Sequence, residues 1–331
     1  MDLTTIWFLA IAILFTGYFV LEGFDFGVGM LLPVLGRDDR ERRLAINTIG
    51  PVWDGNETWV ITAGGAMFAA FPVWYSSLFS GFYLLLFLIL IALIVRGVAF
   101  EYRAKGKTER WKATWDRSIF WCSLAASLLW GMVVGNMVYG VALDADHYYV
   151  GSFWELFNLP ALLGAATFVL LFAGHGATFL SLKTKGEFSQ RAHSLAWKLS
   201  TVGALPAAVW LVWMQTHSGS VLSGVFIAVA VASLLTSIVC NLIGRDGFSF
   251  SFTAATIAFA SAGLFAALWP NVMPSTIQPS YSLTHENAAA TELTLTIMSW
   301  AGAIFLPVVL LYQGWTYWVF RKRMSVENIP A

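Results

Sequence analysis

Five ionisable residues interrupt stretches of sequence that are otherwise apolar: Glu22, Asp25, Asp54, Glu57 and Arg96. Four of them form two pairs, Glu22 with Asp25 and Asp54 with Glu57. The acids of each pair are three residues apart, so they project from one face of a helix. An ionisable side chain inside an apolar helix costs about 2.5–3.5 kcal/mol on insertion scales and usually marks an ion path, a proton relay or a binding site. Clustered carboxyls in a low-dielectric interior can share one proton and pass it between neighbouring oxygens. The pattern therefore predicts a route that accepts and relays protons.

Structural interpretations of the same residues remain open. Asp54 follows closely on Pro51, and an acid in the first turn of a helix is stabilised by the helix dipole. Glu22 and Asp25 lie too deep to cap a helix, but an ion pair with Arg96 could simply lock helices together. Arg96 could also extend its charged group to the membrane surface on its long side chain.

Histidine provides little sign of a metal or haem site. Of the five histidines only His175 lies inside an apolar stretch, where a helix-packing or water-bonded role is the simplest interpretation. A chain that ligates its own haem through two histidines needs both on facing membrane helices. The sequence also lacks a Walker-type phosphate loop and the Gly-x-Ser-x-Gly and His-Glu-x-x-His motifs. We therefore predict no metal bound by this chain, and nucleotide-driven transport and the common hydrolases lose support.

The elements that must position the five residues are membrane-spanning helices. The chain is 58% hydrophobic and 11% charged, whereas soluble domains carry about 25% charged residues. The zero net charge argues against a nucleic-acid-binding protein. A span needs about 20 mostly apolar residues. We predict an all-α polytopic membrane protein, a single transmembrane domain over 1–331, with nine spans at about 5–32, 52–73, 78–100, 119–141, 157–182, 196–214, 221–242, 250–269 and 293–320.

The basic residues predict how these spans are oriented. Eighteen of the 19 Lys and Arg residues fall in alternate connections, after spans one, three, five, seven and nine. Because positive charge is retained in the cytoplasm, the N-terminus is predicted outside and the C-terminus inside. The first span lacks the features of a cleaved signal peptide and is predicted to be retained. This orientation puts the four acids toward the cytoplasmic face.

The nine spans are also interpreted as two four-helix units, spans one to four and five to eight, followed by one extra helix.

Several segments of the sequence resemble a known family. The most specific is Trp53-Asp54-Gly55-Asn56, which is followed shortly by Ile61-Thr62-Ala63-Gly64-Gly65. Supporting segments are 22–31, 42–52, 66–72, 79–83, 96–103, 135–136, 176–178 and 270–275. Together they resemble subunit II of the cytochrome bd-type quinol oxidases over essentially the whole chain.

The resemblance implies a complex in a bacterial cytoplasmic membrane that oxidises quinol and reduces O2 to water. The expected partners are a homologous subunit I, a small single-span subunit in complexes that have one, and the lipid membrane. Haems of types b and d are expected in subunit I and none in this chain, which agrees with its single intramembrane histidine. The resemblance also implies a structural quinone in a lipid-facing groove. Turnover would build a proton-motive force without a proton pump.

For individual residues, the resemblance implies a cytoplasmic proton route lined by Asp54 and Asp25, with Glu22 at its cytoplasmic end. Glu57 joins this route on the evidence of its spacing alone. The resemblance further implies O2 access near Trp59. No catalytic residue is expected in this chain.

Two other functions are compatible with the sequence. A stand-alone proton-coupled secondary transporter would also have many spans, a repeat and membrane acids, but it would work without a haem-bearing partner. A scaffold would use its buried acids only to hold helices together through Arg96. The transporter differs from the oxidase in needing no haem-bearing partner. The scaffold differs in that exchanging Arg96 with one of the acids should restore assembly and activity together.

Overall fold

The computed structural model describes residues 2–329 of the 331-residue chain. The described part is all-helical apart from a short antiparallel pair of strands. Its elements are α1 (Leu3–Leu35), α2 (Asp39–Ile49), α3 (Trp53–Ala70), α4 (Pro72–Gly81), α5 (Tyr83–Arg103), α6 (Glu109–Tyr139), α7 (Leu159–Lys183), α8 (Gly186–Ser218), α9 (Val221–Leu242), α10 (Asp246–Leu268), β1 (Asn271–Met273), β2 (Leu283–Thr284) and α11 (Glu292–Val319).

Eight of the described helices are long and apolar enough to cross a membrane: α1, α5, α6, α7, α8, α9, α10 and α11. The expected second span, 52–73, forms α3, which is not among the eight because Asp54, Asn56 and Glu57 make its first turns polar. The helix breaks at Phe71, since the residue before a proline is disfavoured in helical conformation, and Pro72 begins α4. The expected third span, 78–100, consequently begins later, as α5.

The basic connections meet at one end of the helix bundle, which we call the basic end. There α2 is tied to its neighbours by ion pairs: Arg103 binds Asp39 at 2.9 Å, and Arg191 binds Glu41 at 2.6 Å. Although burial acts to raise the pKa of Asp39, hydrogen bonds from Lys112 and Arg103 outweigh it and hold that pKa below its ordinary value. The other end carries the β1–β2 pair and the longer connections, while α8 and α9 are joined there by only two residues.

Close packing of α1 against α7 fixes the helix that carries the first pair of acids. A Cβ atom added at Gly27 would lie 2.1 Å from the carbonyl oxygen of Phe172 and 2.7 Å from the Cα atom of Gly176. Only glycine permits this backbone approach, as is common at helix crossings in membranes. The position of α1 is therefore determined by backbone contact with α7.

Replacing Gly27 by alanine is expected to force α1 and α7 apart and destabilise the protein by about 1–3 kcal/mol, the usual cost of overpacking. The thermal midpoint, measured from the helical circular dichroism signal of the purified protein, should fall. Gly247→Ala is the matched control, because a Cβ atom at Gly247 meets nothing within 4 Å. Equal midpoints for the two variants would show that the α1–α7 crossing tolerates a side chain.

Candidate functional site

Glu22 and Asp25 lie side by side on α1 and are completely buried. They are within the last four turns of the helix, so they approach the basic end but do not reach it. Glu22 is bonded to Arg96 of α5, and Asp25 is bonded to Asn56 of α3. Both carboxyls are therefore held inside the bundle.

Arg96 of α5 joins α1 to α3 through two carboxyls. Its Nη2 atom donates hydrogen bonds to Glu22 Oε1 and to Glu57 Oε1, and the Arg96 side chain is fully buried. The guanidinium also lies over the ring of Phe26, 4.5 Å from its centroid, which adds a cation–π contact. Glu57 keeps 18% of its side chain exposed. Arg96 is thus an internal ion-pair partner and does not extend to the membrane surface.

Asp25 is hydrogen-bonded to Asn56 of α3, the residue that precedes Glu57. The Asn56 Nδ2 atom donates to Asp25 Oδ2 at 2.7 Å, and Asn56 is fully buried. On its other side, Asn56 Oδ1 accepts hydrogen bonds from Tyr317 and Gln313 of α11. We call Glu22, Asp25, Asn56, Glu57 and Arg96 the carboxyl cluster.

Asp54 lies apart from the carboxyl cluster. Its side chain is exposed, and within residues 2–329 it forms no ion pair, so the structure brings three of the four acids together. Asp54 lies in the first turn of α3, on a face that the described helices leave uncovered. Ile61 and Phe68 on the same face are 70% and 61% exposed, and a Cβ atom added at Gly65 would meet nothing within 4 Å. The role predicted for Asp54 remains a prediction.

Asn56, Gln313 and Tyr317 are members of the site that sequence reasoning missed. Asn56 was visible only as part of the Trp-Asp-Gly-Asn segment of the resemblance. Gln313 and Tyr317 are four residues apart on α11, which places them on one helix face. A glutamine inside an apolar span was the available signal for that face.

Four buried polar atoms of the carboxyl cluster have no hydrogen-bond partner among the described residues. They are Glu22 Oε2, Asp25 Oδ1, Arg96 Nε and Arg96 Nη1. Buried polar atoms in proteins nearly always bond to protein or to ordered water. The cluster also sets three carboxyls against a single guanidinium, which is too little positive charge for three ionised acids in a low-dielectric interior.

His175 of α7 packs against α1 and α10. Its Nε2 atom donates to the carbonyl oxygen of Val20 at 3.2 Å, and its Nδ1 atom lies 2.7 Å from the hydroxyl of Thr253. The imidazole also stacks on Phe250. Because both ring nitrogens have protein partners, His175 does not fit an axial haem ligand. The described residues contain no group of three or more His, Cys, Asp or Glu side chains placed to hold a metal ion.

An apolar cavity of about 140 Å³ lies among α1, α7, α8, α9 and α10. Phe19, Phe172, Leu234 and Ile257 are among its lining residues. Trp210 lines it too, and the buried indole N–H of Trp210 has no hydrogen-bond partner within residues 2–329. The lining of the cavity is almost entirely apolar.

The fold and the site define a class: an all-helical, multi-pass membrane protein with a buried carboxyl–guanidinium cluster between its first helices. The family described as cytochrome bd terminal oxidase subunit II matches residues 3–320. The chain belongs to this family and is thus a subunit of a quinol-oxidising oxidoreductase complex, as the resemblance predicted.

Curated relatives match this chain over nearly their full length. Cytochrome bd ubiquinol oxidase subunit 2 of Bacillus subtilis is 37% identical to this chain, and the match covers 98% of this chain and 97% of the relative. Cytochrome bd-I ubiquinol oxidase subunit 2 of Escherichia coli K12 is 34% identical, with 98% and 96% covered. Among solved structures, a chain of the bd oxidase from Geobacillus thermodenitrificans matches with a TM-score of 0.79, covering 97% of this chain and 100% of that one. At 16% identity that match shows the shared fold.

Proposed function

We propose that this chain takes up protons from the cytoplasm through the carboxyl cluster and delivers them to the oxygen-reducing subunit of a cytochrome bd quinol oxidase. The observation that carries the proposal is a set of three carboxyls, two of them fully buried, that face one guanidinium. Two of their oxygens have no hydrogen-bond partner within residues 2–329. Protons make up the missing positive charge, and water bonded to the unpartnered atoms would connect the carboxyls. A group that must hold protons inside the membrane is suited to relaying them.

The route begins at the basic end, which the alternation of basic loops assigns to the cytoplasm. Glu22 and Glu57 share Arg96, so a proton reaching either carboxyl weakens its ion pair and can pass to the other. Asp25 lies within one helical turn of Glu22 on α1. Asp54 stands apart, on the uncovered face of α3, and there it would connect the route to the partner subunit.

The remaining features of the proposal follow from the family. The chain has nine spans, with α3 as the second, its N-terminus outside and its C-terminus in the cytoplasm of a bacterium. Subunit I ligates the b- and d-type haems, which supply electron transfer and O2 reduction, and a small single-span subunit joins where the complex has one. A structural quinone binds a lipid-facing groove of the chain. Oxygen passes near Trp59.

Family membership favours this function over a stand-alone secondary transporter, because the relatives are named as oxidase subunits. The scaffold alternative keeps one observation in its favour, namely that Arg96 does pair with two of the acids. Purified complex carrying the tagged chain should show haem absorbance, whereas a transporter would not.

Asp54→Asn should reduce quinol-driven oxygen consumption while the haem spectrum of the assembled complex stays normal. The loss follows because asparagine at this point cannot pass a proton on to the partner subunit. Asp146→Asn is the matched control, since Asp146 is exposed at the opposite end of the bundle. If the Asp54→Asn complex assembles and respires like the wild type, Asp54 does not belong to the route.

A further inference from the structure

A chain of hydrogen bonds runs from α11 into the carboxyl cluster and fixes the orientation of one amide. Asn56 Oδ1 accepts from the Tyr317 hydroxyl at 2.8 Å and from Gln313 Nε2 at 3.3 Å. Because the Asn56 oxygen is taken up by these two donors, its Nδ2 group faces Asp25 Oδ2 and the Leu21 carbonyl oxygen. The direction of the Asn56 amide is therefore set by a helix near the other end of the sequence.

The orientation of Gln313 is fixed in the same way by Trp59. The indole Nε1 of Trp59 donates to Gln313 Oε1 at 2.8 Å, which leaves Gln313 Nε2 to donate to Asn56. Gly17 of α1 makes room for the indole, since a Cβ atom there would lie 2.2 Å from the Trp59 ring. Trp59, Gln313, Asn56 and Asp25 thus form a directed chain in which each N–H points toward Asp25.

General packing of α11 does not explain this arrangement. Among its residues only Leu295 is buried, and that residue lies near the opposite end of the helix. Tyr317 and Gln313 are partly buried, and both use their polar groups on Asn56. The contact between α11 and the cluster is specific and polar.

We propose that Tyr317 and Gln313 are positioning residues that keep the N–H side of Asn56, and not its oxygen, against Asp25. The proposal rests on the proposed proton route and assigns the proton to one atom. Asn56 occupies Asp25 Oδ2 as a donor, so an arriving proton binds Oδ1, the oxygen that has no hydrogen-bond partner in the described part of the chain. A reversed amide would set its oxygen against Oδ2, where the contact is stable only with a proton trapped between them. That proton would be withdrawn from the relay.

Tyr317→Phe removes a single oxygen atom from this chain and provides the test. We expect quinol-driven oxygen consumption of the assembled complex to fall about three- to tenfold, the effect of one hydrogen bond on an equilibrium. Tyr312→Phe is the matched control, because Tyr312 is exposed on the same helix. Gln313→Leu should reproduce the loss and serves as a second variant if Tyr317→Phe does not assemble.

A double-variant comparison distinguishes positioning from simple docking of α11. In an Asp25→Asn background, Tyr317→Phe should cause no further loss, because the residue acts through Asp25. In redox-difference infrared spectra, the carboxyl band that disappears in Asp25→Asn should shift in Tyr317→Phe and stay in place in Tyr312→Phe. Additive losses with an unshifted band would overturn the proposal. If Asp25→Asn slows respiration and Tyr317→Phe does not, only the positioning role falls; if Asp25→Asn has no effect, the proton route falls and the positioning role with it.

Discussion

Asp25→Asn is expected to reduce quinol-driven oxygen consumption about a hundredfold, the lower range for loss of a side chain that transfers protons. Asparagine has nearly the same shape as aspartate but cannot gain and lose a proton. Asp25 is fully buried, so bulk water cannot replace it as it can replace an exposed acid. The complex should assemble with a normal haem spectrum, and the oxygen electrode gives the rate per complex.

The control for this variant is Asp116→Asn. Asp116 is also buried and is bonded to Arg103 at the basic end, but it lies outside the carboxyl cluster. Its replacement should lower the thermal stability of the complex and leave the turnover of assembled complex unchanged. A wild-type rate in assembled Asp25→Asn complex would remove Asp25 from the route.

Arg96→Leu is expected to prevent assembly of the complex. Removing the guanidinium leaves Glu22 and Glu57 buried without their cation, and breaking a buried ion pair in this way costs about 3–5 kcal/mol. The yield of haem-containing complex after purification measures the effect. Arg37→Leu is a suitable control, because the ion pair of Arg37 with Glu187 is exposed and 3.9 Å long.

An exchanged pair, Arg96→Glu with Glu22→Arg, separates the scaffold from the proton route. Both interpretations expect the exchange to recover part of the assembly, since a buried pair of opposite charges is restored. A scaffold would recover oxygen consumption to the same extent. The proton route expects the recovered complex to remain slow, because the carboxyl has moved from α1 to α5 and no longer adjoins Asp25 in the same geometry.

Much of the site follows from local sequence rules. The three-residue spacing of Glu22 and Asp25 fixes their common helix face, and insertion cost then requires that face to point inward. An ion pair between Arg96 and the acids of α1 was one interpretation of the sequence, and Arg96 does pair with Glu22. These features are visible in local sequence because they depend only on helix geometry and on the cost of charge in an apolar surrounding.

The parts that could not be predicted depend on tertiary contacts. Trp59 and Gln313 are 254 residues apart in the sequence, and no local pattern pairs an indole with an amide at that distance. Asp54 was grouped with Glu57 by spacing, but whether a first-turn side chain is covered depends on which helices lie beside it. By contrast, the break between α3 and α4 could have been predicted from the sequence. Pro72 lies inside the expected span 52–73, and the residue before a proline is disfavoured in a helix.

The most direct test of the account is the rate of proton uptake during a single reaction of the fully reduced complex with O2, followed with a pH-indicating dye. Complex reconstituted with its cytoplasmic side exposed should take up protons quickly when the chain is wild type and slowly when it carries Asp25→Asn, with the same initial O2 binding in both. Equal uptake rates in the two complexes would contradict the claim that the carboxyl cluster carries protons to the oxygen-reducing subunit.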